Sequence, residues 1–130
     1  MGDDKQAKQD KELIEQLDST MISLWNSTMS MEAAADACKF QKGEVLYDRI
    51  GKCEAAVNEW DQSLTALQSE LTALKKLLDG YPTKYGRTVS HSAEISYDLG
   101  VRQQAAMKLE LKQTKDQLQK HKATLRKVKT

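Results

Sequence analysis

The middle of the chain repeats apolar residues at alternating spacings of three and four, and no other feature limits the fold so strongly. The repeat runs through Ile50, Cys53, Val57, Trp60, Leu64, Leu67, Leu71, Leu74 and Leu78. A heptad pattern of this length is typical of a helix that buries one narrow face against another helix. Because neither proline nor glycine interrupts residues 52–79, the pattern predicts one long helix.

A second helix is predicted after a loop over 80–90, which contains Gly80, Pro82 and Gly86. Glycine and then proline just past a periodic segment end helices efficiently. The second helix covers 91–130, with Ser90 or Ser92 as its N-cap. Its apolar seam runs through Met107, Leu111, Thr114, Leu118, His121, Leu125 and Val128. A short alternation over 95–101 would suit a strand, but the adjoining helical pattern outweighs it.

The N-terminal third is also helical, with a wider apolar face. One seam runs through Ile14, Leu17, Met21, Leu24, Thr28, Met31, Ala35 and Cys38, and Ile22, Trp25 and Met29 lie beside it. This seam is one residue out of phase with the seam that begins at Ile50. A continuous helix can accommodate such a shift by unwinding locally. We therefore favour one helix over 9–79 that follows an acidic polar tip at 1–8 and bends near 39–43. A turn at Gly43 is the alternative.

These patterns predict an all-α fold, with a long antiparallel helical hairpin of coiled-coil type and an extended N-terminal helix. The composition agrees, since 30% of the 130 residues are charged and only 5% are aromatic. Such a profile argues against a sandwich, a barrel or an α/β enzyme. The seam residues expected to hold the hairpin are Trp60, Leu64, Leu67, Leu71, Leu74, Leu78, Leu111, Leu118 and Leu125.

Residues that could carry out chemistry are sparse. The two histidines, His91 and His121, have no orienting acid and no zinc spacing with the two cysteines. We therefore expect no enzyme activity, no cofactor, no metal and no small-molecule substrate. Cys38 and Cys53 are interpreted as reduced, buried thiols of a cytoplasmic protein, with the nucleus as the alternative.

The wide N-terminal face is the expected docking element for partner helices. The residues assigned to it are Leu17, Met21, Leu24, Trp25 and Met29. An uncovered apolar stripe is rare on a monomeric protein, so another helical protein or a second copy should cover it.

Charge is distributed unevenly along the chain. Residues 1–20 hold three lysines and six acids, whereas residues 101–130 hold nine basic residues and two acids. The basic end carries Lys120, Lys122, Arg126, Lys127 and Lys129. Such a segment could contact a polyanion, namely nucleic acid, a tubulin tail or an anionic membrane. Residues 98–130 contain no aromatic residue for base stacking or membrane anchoring, which disfavours nucleic acid and leaves at most a peripheral membrane contact.

The general form resembles the small helical subunits of organelle-positioning adaptors, kinetochores and tethering complexes. The apolar seams and the lack of a catalytic constellation predict a non-enzymatic coiled-coil subunit, acting as a scaffold or adaptor of organelle-positioning, cytoskeletal or tethering type. The alternative is a polyanion binder that uses the basic C-terminal helix.

Overall fold

A computed structural model describes residues 2–40, 46–81 and 87–129. They form three helices: α1 over Gly2–Ala37, α2 over Leu46–Asp79 and α3 over Arg87–Lys129. The described residues contain no strand, and the all-α prediction is confirmed.

The three helices pack together as an up-down-up bundle. Ser30 of α1 lies 2.9 Å from Ser63 of α2, hydroxyl to hydroxyl, and Gln16 donates to the backbone carbonyl of Glu70 over 3.2 Å. These pairs show that α1 and α2 are antiparallel. Lys115 of α3 meets Asp61 of α2 at 2.8 Å and Lys122 meets Glu54 at 2.6 Å, so α2 and α3 are antiparallel as well. Consequently α1 and α3 run parallel.

The continuous helix expected over 9–79 does not form. The chain leaves α1 through hydrogen bonds from the Cys38 amide to the Ala34 carbonyl at 2.9 Å and from Lys39 to Asp36 at 3.3 Å. The next helix, α2, begins at Leu46 and runs antiparallel to α1. Reversal lets α1 bury its inner face against both other helices, which a straight rod would leave exposed. The alternative turn at Gly43 lies within 41–45, outside the described residues.

Two other boundaries differ from the sequence prediction. The tip at 1–8 belongs to α1 from Gly2 onward, and α3 begins at Arg87, so Ser90 and Ser92 lie inside the helix rather than capping it. Of the expected loop over 80–90, Gly80 and Tyr81 close the end of α2 through bonds to Lys76 and Leu78. Residues 82–86 lie outside the described part of the chain.

The core consists largely of apolar residues of α2 and α3 with the inner face of α1 packed against them. Most of the seam residues are buried: Trp60, Leu64, Leu67, Leu71, Leu74, Leu111 and Leu118. Leu78 and Leu125 are partly buried and pack against the edges of the core. The α3 seam extends upstream of Met107 through Ala93, Gly100 and Gln104, which are small or polar.

At three positions the buried residue of α1 is the one that precedes the expected seam residue. Thr20, Ser27 and Ala34 are fully buried, in place of Met21, Thr28 and Ala35. Short side chains let the α1 and α2 backbones approach closely, and the hydroxyls bond across the interface. Ser27 Oγ, for example, lies 3.0 Å from the Ser63 carbonyl oxygen. Because buried hydroxyls with partners are tolerated in a core, Thr20 and Ser27 share the inner face of α1 with Leu24, whereas Met21 faces outward.

The prediction that the cysteines are reduced is wrong for this structure. Cys38 at the end of α1 and Cys53 in α2 form a disulfide, with Cα atoms 4.7 Å apart. The reversal between the two helices brings the residues face to face, which their separation of 15 positions in a straight helix would prevent.

Two helical glycines should respond oppositely to alanine. A Cβ at Gly100 would lie 2.8 Å from Leu71 Cδ2, whereas a Cβ at Gly51 would meet nothing within 4 Å. We expect Gly51→Ala to stabilise the fold by about 0.5–1 kcal/mol through helix propensity. Gly100→Ala should destabilise it by about 1 kcal/mol, because displacing buried Leu71 outweighs that gain.

Urea unfolding of both variants measures the difference. Equal stabilisation by the two substitutions would show that α2 and α3 are not in close contact at Gly100.

Candidate interaction surface

The outward face of α1 carries a stripe of large apolar side chains. Trp25 is 66% exposed and Ile22 is 61% exposed, although both lie in the middle of a long helix. Ile14, Met21 and Met29 are exposed on the same side. Such positions recur at the spacing of one helix face, so they form a continuous apolar strip.

A second strip lies on α3. Ile95, Leu99 and Leu109 are exposed, and with Arg102 and Ala106 they follow one another at spacings of four and three. That is a heptad repeat on the face away from α2. The hairpin expected from sequence would have buried Ile95 and Leu99, but Ala93 and Gly100 take the inner positions instead.

The two strips flank one groove. Thr28 and Met31 of α1 line a cleft of about 290 Å³ with Gln103, Met107 and Glu110 of α3. Further along, the rings of Phe40 and His121 stack with centroids 4.0 Å apart.

These contacts place Met21 near the level of Leu99. We call the exposed residues beside the groove the α1–α3 surface: Ile14, Met21, Trp25 and Met29 with Ile95, Leu99 and Leu109.

The predicted docking residues divide between this surface and the core. Met21, Trp25 and Met29 are exposed, as docking requires. Leu24 is buried in the core and Leu17 is partly buried against it, so the structure removes both from the surface. The sequence had not indicated the α3 strip as a surface. The feature that could have indicated this strip is the heptad repeat over 95–109, which lies on the opposite side of α3 from the Met107 seam.

Some of the basic side chains toward the C-terminal end of α3 form ion pairs with α2. Lys122 is paired with Glu54, and Lys115 with Asp61. Lys120 is exposed. The side chains of Arg126, Lys127 and Lys129 lie outside the described residues.

A cleft of about 430 Å³ lies between the start of α1 and the end of α2. Its floor includes Leu13 and Leu77, and Tyr81 closes one end. The Tyr81 hydroxyl donates to the Asp10 carboxylate and accepts from Gln6 Nε2 at 2.8 Å. Burial, together with the bond to Asp10, raises the pKa of Tyr81 from 10.0 to about 12. This arrangement fastens α1 to the end of α2, so we assign the cleft a structural role.

Tyr81→Phe should lower the stability of the fold at neutral pH by about 1.5 kcal/mol, because the Asp10 carboxylate loses the Tyr81 donor and retains only the bond from Gln6. The folded state holds the Tyr81 proton more tightly than the unfolded state does. The stabilisation is therefore complete below pH 10.0 and is lost as the pH rises toward about 12.

Urea midpoints of the original chain and Tyr81→Phe, measured across that pH range, should converge. Tyr97→Phe retains Tyr81 and should retain the fall in stability. A gap between the original chain and Tyr81→Phe that did not change with pH would contradict the bond to Asp10.

Neither a metal centre nor a membrane span is found in the part of the chain that the structure describes. No group of three or more His, Cys, Asp or Glu side chains there could hold a metal ion. Within the same residues, no helix contains an apolar stretch long enough to cross a membrane. No family model, curated protein or solved structure matches the chain.

Proposed function

We propose that this protein is a non-enzymatic subunit that assembles with helical proteins through the α1–α3 surface. One observation carries the proposal. The bundle already has a core of its own, yet it exposes large apolar side chains on two adjacent helices. Contiguous apolar patches of this kind mark interaction sites on soluble proteins. A scaffold or adaptor role fits a surface of this form.

The exposed strips favour a helix as the occupant. Each has the spacing of a heptad seam, and a groove between two parallel helices can seat a third as a coiled coil does. In the same proposal, α2 and α3 are an antiparallel coiled-coil hairpin that holds the surface rigid. Trp25 is the expected anchor, since tryptophan often dominates interface energetics.

The compartment is also part of the proposal. Disulfides persist in oxidising compartments and are rare in the cytosol. The Cys38–Cys53 bond therefore supports an oxidising compartment over the cytoplasm or nucleus expected from the sequence. Mass spectrometry of protein extracted from cells into a thiol-blocking reagent tests this. Two blocked cysteines would show that both thiols are reduced and would favour the cytoplasm instead.

Polyanion binding through the basic end of α3 is the second candidate. It is favoured by exposed Lys120 and by the excess of basic residues over 101–130. Since Lys115 and Lys122 are paired with α2 carboxylates, fewer cations are available than the sequence suggested. Binding of this kind would weaken steeply with salt, whereas apolar assembly would not.

The test compares the size of the full chain in extracts of cells that express it. Gel filtration should show an assembly well above the 14.7 kDa chain mass. Trp25→Ala with Met29→Ala should return it to the monomer size, while circular dichroism stays unchanged.

Val101→Ala is the matched control. Val101, on α3, is exposed as Trp25 and Met29 are, but it does not belong to the α1–α3 surface. Assembly that survives the double substitution, or that Val101→Ala disrupts equally, would overturn the proposal.

A further inference from the structure

We infer that the α1 strip, from Ile14 to Met29, pairs with the same strip of a second copy of this chain, and that the two strips run antiparallel. The inference rests on the proposed function and names the partner for the α1 half of the α1–α3 surface. A twofold axis perpendicular to the helices sets α1 against α1 and uses one face twice, as in most homodimers. The axis crosses α1 at the middle of the strip, between Met21 and Ile22.

Apolar side chains meet along the whole strip in this arrangement. Ile14 lies at the same height as Met29 of the second copy, and Met21 lies at the same height as Ile22 of the second copy. Each pair occurs twice, once on either side of the axis. All of these side chains are exposed in a single copy, so pairing removes their apolar surface from water.

The charged residue in the middle of the strip also finds a suitable neighbour. Asp18 is exposed and interrupts the apolar residues. The alignment sets it at the same height as Trp25 of the second copy, whose indole N–H is a hydrogen-bond donor. Tryptophan at an interface commonly buries its ring and uses the N–H for such a bond.

Opposite charges at the two ends of the strip select the antiparallel orientation. Lys8 and Lys11 precede the strip on the same helix face. Glu32 and Asp36 follow it, and all four side chains are exposed. The alignment sets Lys11 at the height of Glu32 of the second copy, and Lys8 within one position of Asp36. A parallel pair would instead place Lys11 against Lys11 and Glu32 against Glu32, so the strip complements itself in one orientation only.

The α3 strip does not form a corresponding pair. Arg102 is exposed at the middle of that strip, between Ile95 and Leu109. An antiparallel pair of α3 strips would set Arg102 against Arg102 of the second copy and bring two cations together. The dimer therefore forms through α1, and the α3 strip stays available to another helical partner.

Sedimentation velocity of the purified full chain tests the inference, with charge reversals as the specific probe. The original chain should be a dimer. Lys11→Glu and Glu32→Lys, each alone, should weaken the dimer roughly tenfold, because each reversal places two pairs of like charges across the interface. An equimolar mixture of the two variants should dimerise again, since every acid of this set faces a base in the mixed dimer.

The mixture isolates contact between copies from effects within one chain. Positions 11 and 32 lie in one helix and are separated by about 31 Å at a rise of about 1.5 Å per residue, so neither charge can compensate the other inside a chain. Lys112→Glu and Glu94→Lys, both at exposed positions of α3, make the same changes of charge outside the α1 strip and should have no effect.

Three outcomes would overturn the inference: a purified chain that stays monomeric at all concentrations, a mixture of the two variants that does not dimerise, or a dimer whose affinity neither single reversal changes. A purified monomer that nevertheless enters a large, Trp25-dependent assembly in extracts would leave the proposed function standing with a different partner. A chain that is monomeric in extracts as well would remove both.

Discussion

Trp60→Ala should lower the free energy of unfolding by about 4 kcal/mol. Trp60 is 2% exposed and lies in the middle of the core. Its truncation leaves a cavity that the three packed helices can fill only in part. The measurement is urea unfolding followed by circular dichroism, at a concentration where the chain is monomeric.

The other tryptophan is the matched control. Trp25 lies 66% exposed on α1, and Trp25→Ala should change monomer stability by less than about 0.5 kcal/mol. The Trp60 Nε1–H is buried and has no hydrogen-bond partner among the residues that the structure describes. Trp60→Phe should therefore remain folded, at a cost below about 1.5 kcal/mol. Equal effects of the two alanine substitutions would contradict the burial of Trp60 and the exposure of Trp25.

Breaking the Cys38–Cys53 disulfide should destabilise the fold by about 3 kcal/mol. The bond closes a loop of 15 positions, and the entropy that such a loop removes from the unfolded chain is of that size. Because the bond joins α1 to α2 near the reversal, its loss should loosen the end of α1 first. Amide exchange around Ala34 should rise before exchange around Leu13 does.

Urea midpoints with and without a reducing agent measure the loss. Cys38→Ala with Cys53→Ala should show the lower midpoint and no response to reductant. If the urea midpoint of the original chain did not change when reductant is added, the disulfide would contribute nothing to stability.

The sequence by itself determined that the chain is helical and which residues form the principal core. The repeat from Ile50 to Leu78 needs only the helical period and the burial of apolar area, both of which are local properties. Those residues are indeed mostly buried in α2. For the same reason, the later seam around Leu111 and Leu118 could be identified without knowledge of the partner helices.

The choice of which face turns inward required the tertiary structure. Hydrophobicity favours Met21 over Thr20 as the inner residue of α1, yet Thr20 is fully buried and Met21 is exposed. The deciding quantity is the distance between α1 and α2, which small residues shorten and large ones would widen. Gly100 illustrates the same effect on α3, where Leu71 occupies the space that a side chain would need.

The reversal between α1 and α2 was also decided by tertiary packing. A one-residue phase shift is compatible with a continuous helix, and the sequence contains no clear N-cap after Gly43. Folding back is favoured because it buries Leu13, Leu24 and their neighbours against α2 and α3. It also brings Cys38 to Cys53. The energy that selects the turn thus comes from residues far along the chain, which no local pattern records.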